Sequence, residues 1–158
     1  MKEARVDILS AEILKTADAI CFTSNGIVKS NGELVMGAGI AKAFADKWPP
    51  LAIRAGHCVK MGGNRVHWLK DIFTYRLDDG SHKYVAVVSF PTKNDWKSPS
   101  SLPLIIESAT QLSTLANIRK WNNVYLPRPG VGLGGLDWKN VKAAIEPLLD
   151  DRFTVVYK

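Results

Sequence analysis

Val35-Met36-Gly37-Ala38-Gly39-Ile40-Ala41 is a glycine-rich stretch between an apolar segment and an amphipathic one, and Pro129-Gly130-Val131-Gly132-Leu133-Gly134-Gly135 is a second. Glycine lets backbone N–H groups approach a ligand closely, and the N-terminus of a following helix attracts anions. One such turn can hold one phosphate. Two of them in a small domain predict a site that holds a diphosphate from both sides, and hence a dinucleotide-like ligand.

Length and composition are those of one globular domain, which we assign to residues 1–158. Hydrophobic residues make up 46% of the chain and charged residues 23%, both ordinary values. No apolar run approaches the roughly 20 residues that span a bilayer, and residues 1–7 mix charges rather than forming a signal peptide. We therefore expect a cytoplasmic protein without a membrane partner. The net charge of +6 favours an anionic binding partner.

The two cysteines do not indicate a metal site. Cys21 lies in an apolar run and is expected to be a small buried side chain. Cys58 follows His57, so a Cys–His nucleophile is conceivable but disfavoured. Neither cysteine has a second Cys/His pair at metal-ligand spacing, and we expect no bound metal.

Short apolar runs alternate with segments of helical periodicity. The predicted strands are residues 5–9, 19–23, 65–69, 72–75, 84–90, 123–126 and 153–157. Two predicted helices are ended by helix breakers: residues 40–44 by Pro49-Pro50, and residues 51–60 by Gly62-Gly63. A third covers residues 102–116, with Ser100 or Ser101 as its cap and Pro103 in its first turn. The apolar stripe at residues 141–149 predicts the fourth, which Asp137 would cap. This order predicts an α/β fold with three α/β/α layers, a central mixed sheet flanked by helices. Ligands in such folds bind at the carboxyl ends of the strands, where both glycine turns fall.

Two common phosphate-binding motifs do not fit. Gly130, Gly132 and Gly135 formally match the dinucleotide fingerprint, but the Rossmann fold needs an acid about 20 residues further on, after the next strand. That strand is residues 153–157, and the second half of a Rossmann fold is not expected. Gly39-Ile40-Ala41-Lys42 lacks the glycine-lysine-hydroxyl run of a P-loop.

A distributed set of residues does fit a known pattern. Asp7 follows the first strand, Asn25-Gly26 follows the second, and the two glycine turns come later. Over essentially the whole chain this arrangement resembles the macrodomain family, which binds ADP-ribose above a mixed sheet. The resemblance is carried most specifically by residues 35–41, supported by residues 126–132.

The resemblance implies a role for each matched position. Asp7 would accept a hydrogen bond from the adenine amine, and Asn25 would bind the distal ribose, with Gly26 letting the ligand come close. The two turns would enclose the diphosphate. The implied ADP-ribose-binding residues are Asp7, Ile8, Asn25, Met36, Gly37, Ala38, Gly39, Ile40, Thr92, Pro129, Gly130, Val131, Gly132 and Leu133. ADP-ribose would be ligand or product, and no cofactor is expected.

Within macrodomains, Phe90-Pro91-Thr92-Lys93 and residues 134–138 resemble the DarG antitoxins, which remove ADP-ribose from thymidine in single-stranded DNA. The resemblance implies that Lys93 is catalytic. An amine beside the anomeric carbon can attack the sugar, or as a cation can steady developing negative charge. The predicted activity is an ADP-ribosyl glycohydrolase that acts on a modified nucleobase.

Basic and aromatic residues near Lys93 suit the binding of a single-stranded nucleic acid, because cations bind its phosphates while a base stacks on an indole ring. We predict nucleic-acid contacts at Trp96, Lys97 and Arg128, and ADP-ribosylated single-stranded DNA as a partner. A packed tryptophan in a solvated loop is the alternative.

The sequence departs from this pattern in two ways. Relatives that release ADP-ribose from carboxylate side chains pair their lysine with an aspartate in the second glycine turn, where this chain has Gly134. DarG antitoxins also carry an additional toxin-binding domain that is not expected here. Two other functions stay open: a reader that binds ADP-ribose without turnover, and a phosphatase acting on ADP-ribose 1″-phosphate with His57, His67 or His82 as the base.

Overall fold

Strands and helices alternate along the chain. The structure is a computed structural model that describes the backbone of residues 1–158 and the side chains of all but residues 73–75. The strands are β1 (Lys2–Arg5), β2 (Ala19–Ser24), β3 (His67–Arg76), β4 (His82–Pro91), β5 (Val124–Pro127) and β6 (Phe153–Tyr157). The helices are α1 (Ala11–Thr16), α2 (Ile40–Lys47), α3 (Leu51–Gly62), α4 (Leu102–Arg119) and α5 (Trp138–Ile145), with a 3₁₀ turn at Gly132–Gly134.

The strands form one mixed sheet in the order β1-β6-β5-β2-β4-β3. The first five pair in parallel, and β3 pairs antiparallel with β4 at one edge of the sheet. The carboxyl ends of β1, β6, β5, β2 and β4 therefore lie side by side along one rim. This rim is where an α/β sheet places its ligand.

Two apolar layers cover the sheet, and β2 contributes to both. Ala19 and Cys21 pack on the side of α4 and α5, whereas Ile20 and Phe22 pack on the side of α1, α2 and α3. Because both faces are covered, the strand reads as a continuous apolar run rather than an alternating one. The predicted α/β/α architecture is confirmed, and so is the burial of Cys21, which raises the pKa of its thiol.

Helix α4 shows how local sequence sets an element's bounds. Ser101 Oγ accepts a hydrogen bond from the backbone N–H of Leu104, and Pro103 lies in the first turn. Buried residues recur at helical spacing along one face: Ile105, Ala109, Leu112 and Ala116. The helix ends where Lys120 adopts the left-handed conformation, with φ of 58°. Of the two serines predicted as caps, Ser101 is the cap and Ser100 is not.

Several predicted bounds are wrong. β1 ends at Arg5 rather than residue 9, because Ile8 is buried within the turn that leads into α1, a helix the sequence did not predict. The strands predicted at 65–69 and 72–75 are one strand, β3, whose register shifts between Trp68 and Lys70. α5 ends at Ile145 rather than residue 149. No described helix is long and apolar enough to cross a membrane.

Candidate functional site

A cleft of about 670 Å³ lies along the rim where the parallel strands end. Its walls come from the segments after β2, β4 and β5 and from both glycine-rich turns. The lining residues are Thr23, Ser24, Asn25, Met36, Gly37, Ala38, Gly39, Ile40, Ala41, Thr92, Lys93, Trp96, Ser100, Pro127, Arg128, Gly130, Val131, Leu133 and Gly134. The volume is typical of a small-molecule site.

Most residues predicted from the sequence meet in this cleft. The predicted residues that line it are Asn25, Met36, Gly37, Ala38, Gly39, Ile40, Thr92, Lys93, Trp96, Arg128, Gly130, Val131 and Leu133. Of the predicted residues, the following lie outside its lining: Asp7, Ile8, Lys97, Pro129 and Gly132. Thr23, Ser24, Ala41, Ser100, Pro127 and Gly134 line the cleft without having been predicted.

The first glycine turn ends at the N-terminus of α2. Gly37 and Gly39 both have positive φ, 63° and 82°, which other residues adopt only at a cost. Gly39 is the N-cap, and no side chain caps the helix there. The first backbone N–H groups of α2 therefore have no capping side chain as partner, and the residues that carry them line the cleft. Such a helix N-terminus is suited to binding an anion.

Asn25 fixes the loop that carries this turn. Its Nδ2 donates to the carbonyl oxygen of Val35 at 2.7 Å, and its Oδ1 accepts from the N–H of Ile27 at 3.0 Å. The side chain is buried, with 7% of the residue exposed. Asn25 thus holds both ends of the loop between β2 and the first turn while also lining the cleft.

The second glycine turn reaches across to the first. Leu133 is 76% exposed, and a methyl group on Gly39 would lie 3.6 Å from Leu133 Cδ1. Leu133 therefore lies close enough to the first turn that it would touch any side chain at position 39. A ligand held between the two turns has backbone on both sides, as expected for a diphosphate.

The second turn is closely packed underneath. A Cβ on Gly134 would overlap Ser100 Oγ and lie 3.2 Å from Ser100 Cβ. Ser100 donates its backbone N–H to the carbonyl oxygen of Gly134 at 3.0 Å, and its buried hydroxyl has no hydrogen-bond partner among the side chains and backbone that the structure describes. The structure therefore gives a steric reason for glycine at position 134.

Lys93 lies in the loop after β4, on the wall shared with Asn25. The N–H groups of Thr92 and Lys93 both point to the carbonyl oxygen of Ser24, at 2.9 and 3.4 Å. Trp96 is 47% exposed and also lines the cleft, and Lys97 Nζ lies 5.3 Å from the centre of its ring. An amine, an exposed indole and a second cation thus follow one another along this loop.

Arg128 stands at the cleft after β5, stacked on aromatic rings. Its Cζ lies 4.0 Å from the centre of the Tyr157 ring and 5.1 Å from that of Trp138. Trp138 Nε1 and Lys142 Nζ both bond Glu3, at 3.0 and 2.8 Å. The hydrogen bond from Lys142 is the main cause that lowers the pKa of Glu3. Glu3 Oε1 also lies 3.8 Å from Arg128 Nη2, so two rings and this carboxylate contact the guanidinium at the rim.

Asp7 lies after β1, at the opposite end of the rim from Lys93. Its Oδ1 accepts from the N–H of Leu9 at 2.9 Å, and Lys158 Nζ lies 3.5 Å from its Oδ2. The strand order places Asp7, Arg128, Asn25 and Lys93 in that sequence along the rim. Lys93 lines the cleft at one end of this row, whereas Asp7 at the other end lies beyond the lining and pairs with Lys158.

The alternative catalytic groups lie elsewhere. His57 and Cys58 are on α3, His82 begins β4, and His67 Nε2 is 2.8 Å from the carbonyl oxygen of Gly63. None of these four lines the cleft as the described side chains form it. Among the described residues, no cluster of His, Cys, Asp and Glu could hold a metal ion.

Gly26 and Asn64 form a junction that sequence reasoning missed. A Cβ on Gly26 would lie 2.9 Å from Asn64 Cγ, so Gly26 is required by Asn64 packing against it rather than by the cleft wall. Asn64 Nδ2 donates to the carbonyl oxygen of Lys93 at 2.9 Å. The residues are 29 positions apart, a separation at which no local sequence signal exists.

Comparisons with known proteins agree with this geometry. The family model described as Macro domain matches residues 29–145. A protein named DNA ADP-ribosyl glycohydrolase from Mycobacterium tuberculosis is 34% identical over 110 residues, which cover 68% of this chain and 30% of that protein. One of the same name from Thermus aquaticus is 33% identical over 117 residues, covering 73% and 31%. The chain thus spans less than a third of the curated relatives it matches.

Solved structures show the same architecture. The macrodomain of M. tuberculosis DarG superposes with a TM-score of 0.72 at 29% identity, covering 99% of this chain and 95% of that one. The macrodomain of T. aquaticus DarG gives 0.69 at 26% identity, with 99% and 97% covered. Sequence motif, fold and family match therefore agree, and the chain belongs to the macrodomain family.

Proposed function

We propose that this chain is an ADP-ribosyl glycohydrolase that releases ADP-ribose from a nucleobase, thymidine in single-stranded DNA being the expected substrate. The observation that carries the proposal is that Lys93 lines the same cleft as both glycine-rich turns. In the reaction the bond between the base nitrogen and the anomeric carbon of the distal ribose breaks. Water supplies hydroxide to that carbon and a proton to the departing base.

The order of groups along the rim supports the orientation of ADP-ribose. The two turns would enclose the diphosphate, with adenine toward Asp7 and the distal ribose toward Asn25 and Lys93. Backbone N–H groups at the start of α2 bind anionic oxygens without a charged side chain. Lys93 is then the cation or nucleophile at the scissile bond.

Gly134 supports a nucleobase rather than a carboxylate linkage. The relatives that act on carboxylate esters use an aspartate at this position, and in this chain Ser100 occupies the space that such a side chain would need. The second acidic group of that reaction is therefore absent from the turn.

Trp96 and Lys97 support single-stranded DNA as the molecule that carries the modified base. A half-exposed indole at the Lys93 end offers a stacking surface for a neighbouring base, and Lys97 beside it meets a phosphate. The relatives named DNA ADP-ribosyl glycohydrolase point to the same substrate class.

Release of ADP-ribose from a thymidine-ADP-ribosylated single-stranded oligonucleotide tests the proposal. Wild-type protein is compared with Lys93→Ala, Lys93→Arg and, as a lysine of the same loop, Lys97→Ala. We expect Lys93→Ala to lower kcat by at least about 100-fold, because the group at the scissile bond is lost. Lys97→Ala is expected to raise KM about two- to fivefold and to leave kcat nearly unchanged, since it removes one phosphate contact.

The arginine variant separates the two roles of Lys93. Arginine keeps the positive charge but is a poor nucleophile, so activity retained by Lys93→Arg indicates charge stabilisation and activity lost indicates attack by the amine. Wild-type protein that binds ADP-ribose but releases none contradicts the proposal and favours a reader. Release of phosphate from ADP-ribose 1″-phosphate that survives Lys93→Ala favours the phosphatase.

A further inference from the structure

The loop that carries Lys93 is held from two sides. On one side, the N–H groups of Thr92 and Lys93 point to Ser24, as described above, and the N–H of Ser101 donates to the carbonyl oxygen of Thr92 at 2.8 Å. On the other side, the carbonyl oxygen of Lys93 accepts from Asn64 Nδ2. The backbone of Lys93 is thus fixed at both its donor and its acceptor.

Asn64 makes this contact from a different part of the fold. It lies between α3 and β3, and the same Nδ2 donates to Asn94 Oδ1 at 2.9 Å. The N–H of Gly26 donates to the carbonyl oxygen of Asn94 at 3.0 Å, and Gly26 has no side chain to displace the Asn64 amide. Three segments, after β2, before β3 and after β4, therefore meet at one amide group.

The other atom of that amide is unusual. Asn64 Oδ1 is buried and has no hydrogen-bond partner among the described residues. A buried oxygen without a hydrogen-bond partner destabilises a fold. Exchanging Nδ2 and Oδ1 would not remove the problem, because Oδ1 would then lie against the carbonyl oxygen of Lys93 and both atoms are acceptors. The two hydrogen bonds of Nδ2 therefore fix which way the amide faces.

We propose that Asn64 is a positioning residue for Lys93, an inference that rests on the proposed role of Lys93 in the cleft. Asn64 does not line the cleft and holds no part of ADP-ribose. It sets where the Lys93 main chain lies, and so where the amine at the end of the side chain reaches the anomeric carbon. Loss of the amide displaces the reacting group while leaving the glycine turns in place.

Kinetics and binding on the same variants separate this role from a general structural one. Asn64→Ala removes the amide, and Asn64→Asp keeps its shape but cannot donate to the Lys93 carbonyl. With the ADP-ribosylated oligonucleotide we expect kcat to fall about tenfold or more in both, because small misplacements of a catalytic group are costly. The Kd for ADP-ribose, measured by calorimetry, is expected to stay within about twofold of the wild-type value.

Asn94→Ala is the graded comparison. It removes one acceptor of the Asn64 amide but keeps the bond to Lys93, so its loss of kcat is expected to be smaller, about threefold or less. Amide hydrogen exchange of residues 92–100 gives a readout independent of turnover. Exchange in that segment is expected to quicken in Asn64→Ala and to stay unchanged in helix α5.

A wild-type kcat in either Asn64→Ala or Asn64→Asp overturns the inference. Equal losses of kcat and of ADP-ribose affinity in these variants, with faster amide exchange throughout the protein, also overturn it because they indicate a general structural role. Wild-type protein that binds ADP-ribose without turnover overturns the proposed function, and the catalytic role of Asn64 with it. Exchange of residues 92–100 still reports in that case whether Asn64 holds the loop.

Discussion

The two glycine-rich turns look alike in sequence but owe their glycines to different causes. In the first, Gly37 has positive φ and nothing within 4 Å of where a Cβ would lie. In the second, a Cβ on Gly130 would lie 2.6 Å from Ile105 Cδ1 and 2.9 Å from Leu136 Cδ1. Position 37 is open on the side where a side chain would stand, whereas positions 130 and 134 of the second turn are packed against side chains and only Gly132 and Gly135 there are as open as Gly37. Substitutions should therefore affect mainly ligand binding at Gly37 and mainly stability at Gly130 and Gly134.

Gly130→Ala should give the largest effect. The methyl group meets the ends of two core side chains, and φ of 76° is unfavourable for alanine. We expect the free energy of unfolding to fall by about 3 kcal/mol, adding overpacking to backbone strain. Urea denaturation followed by tryptophan fluorescence measures it. A loss under about 1 kcal/mol would show that position 130 is as open as position 37.

Gly134→Ala tests the packing of the same turn without backbone strain, since its φ is not positive. Overlap with Ser100 should cost about 2 kcal/mol of unfolding free energy. In a Ser100→Gly background both nearby atoms are gone, so we expect most of that cost to disappear. A double-mutant cycle measures the coupling. Additive losses would mean that Ser100 is not what excludes a side chain from position 134.

Gly37→Ala should have the smallest effect on stability and the clearest effect on binding. Only the positive φ opposes alanine there, at about 1 kcal/mol. We expect the Kd for ADP-ribose to rise about tenfold, because backbone N–H groups can no longer come as close.

Gly80→Ala is the matched control for this substitution. Gly80 has φ of 88°, and a Cβ there would make only ordinary contact with Arg76, away from the cleft lining. It should lose similar stability and keep its affinity for ADP-ribose. Equal losses of affinity in both variants would contradict a ligand role for Gly37.

Local signals predicted the fold well where they were strong. The apolar stripe of α4 and its proline fixed that helix to within a few residues, and the two glycine turns led directly to the rim. α1 was missed because six residues carry little periodicity. β3 was predicted as two strands because the polar pair Lys70-Asp71 separates its two apolar runs. At the sheet edge both polar residues remain in the strand, where Asp71 Oδ1 accepts a hydrogen bond from Trp68 Nε1 at 3.1 Å.

The site was predictable only in part, for a related reason. Main-chain turns are encoded locally by glycine, so the segments proposed to bind the diphosphate could be identified from the sequence. Asn64 and Ser100 act through contacts between segments far apart in the chain, and nothing beside them in sequence marks those contacts. Family resemblance supplied Lys93, which composition and spacing alone could not distinguish from other loop lysines.

The rim joins the ends of five strands that are scattered along the sequence in the order β1, β6, β5, β2, β4. A ligand in the cleft touches the segments that follow β2, β4 and β5 and both glycine-rich turns, and so acts as a non-covalent cross-link between parts of the chain as far apart as Thr23 and Gly134. Bound ligand stabilises the native state by mass action, by about 2.7 kcal/mol at 100 times its Kd. Occupancy of the cleft is therefore also a tether that opposes separation of the sheet's strands.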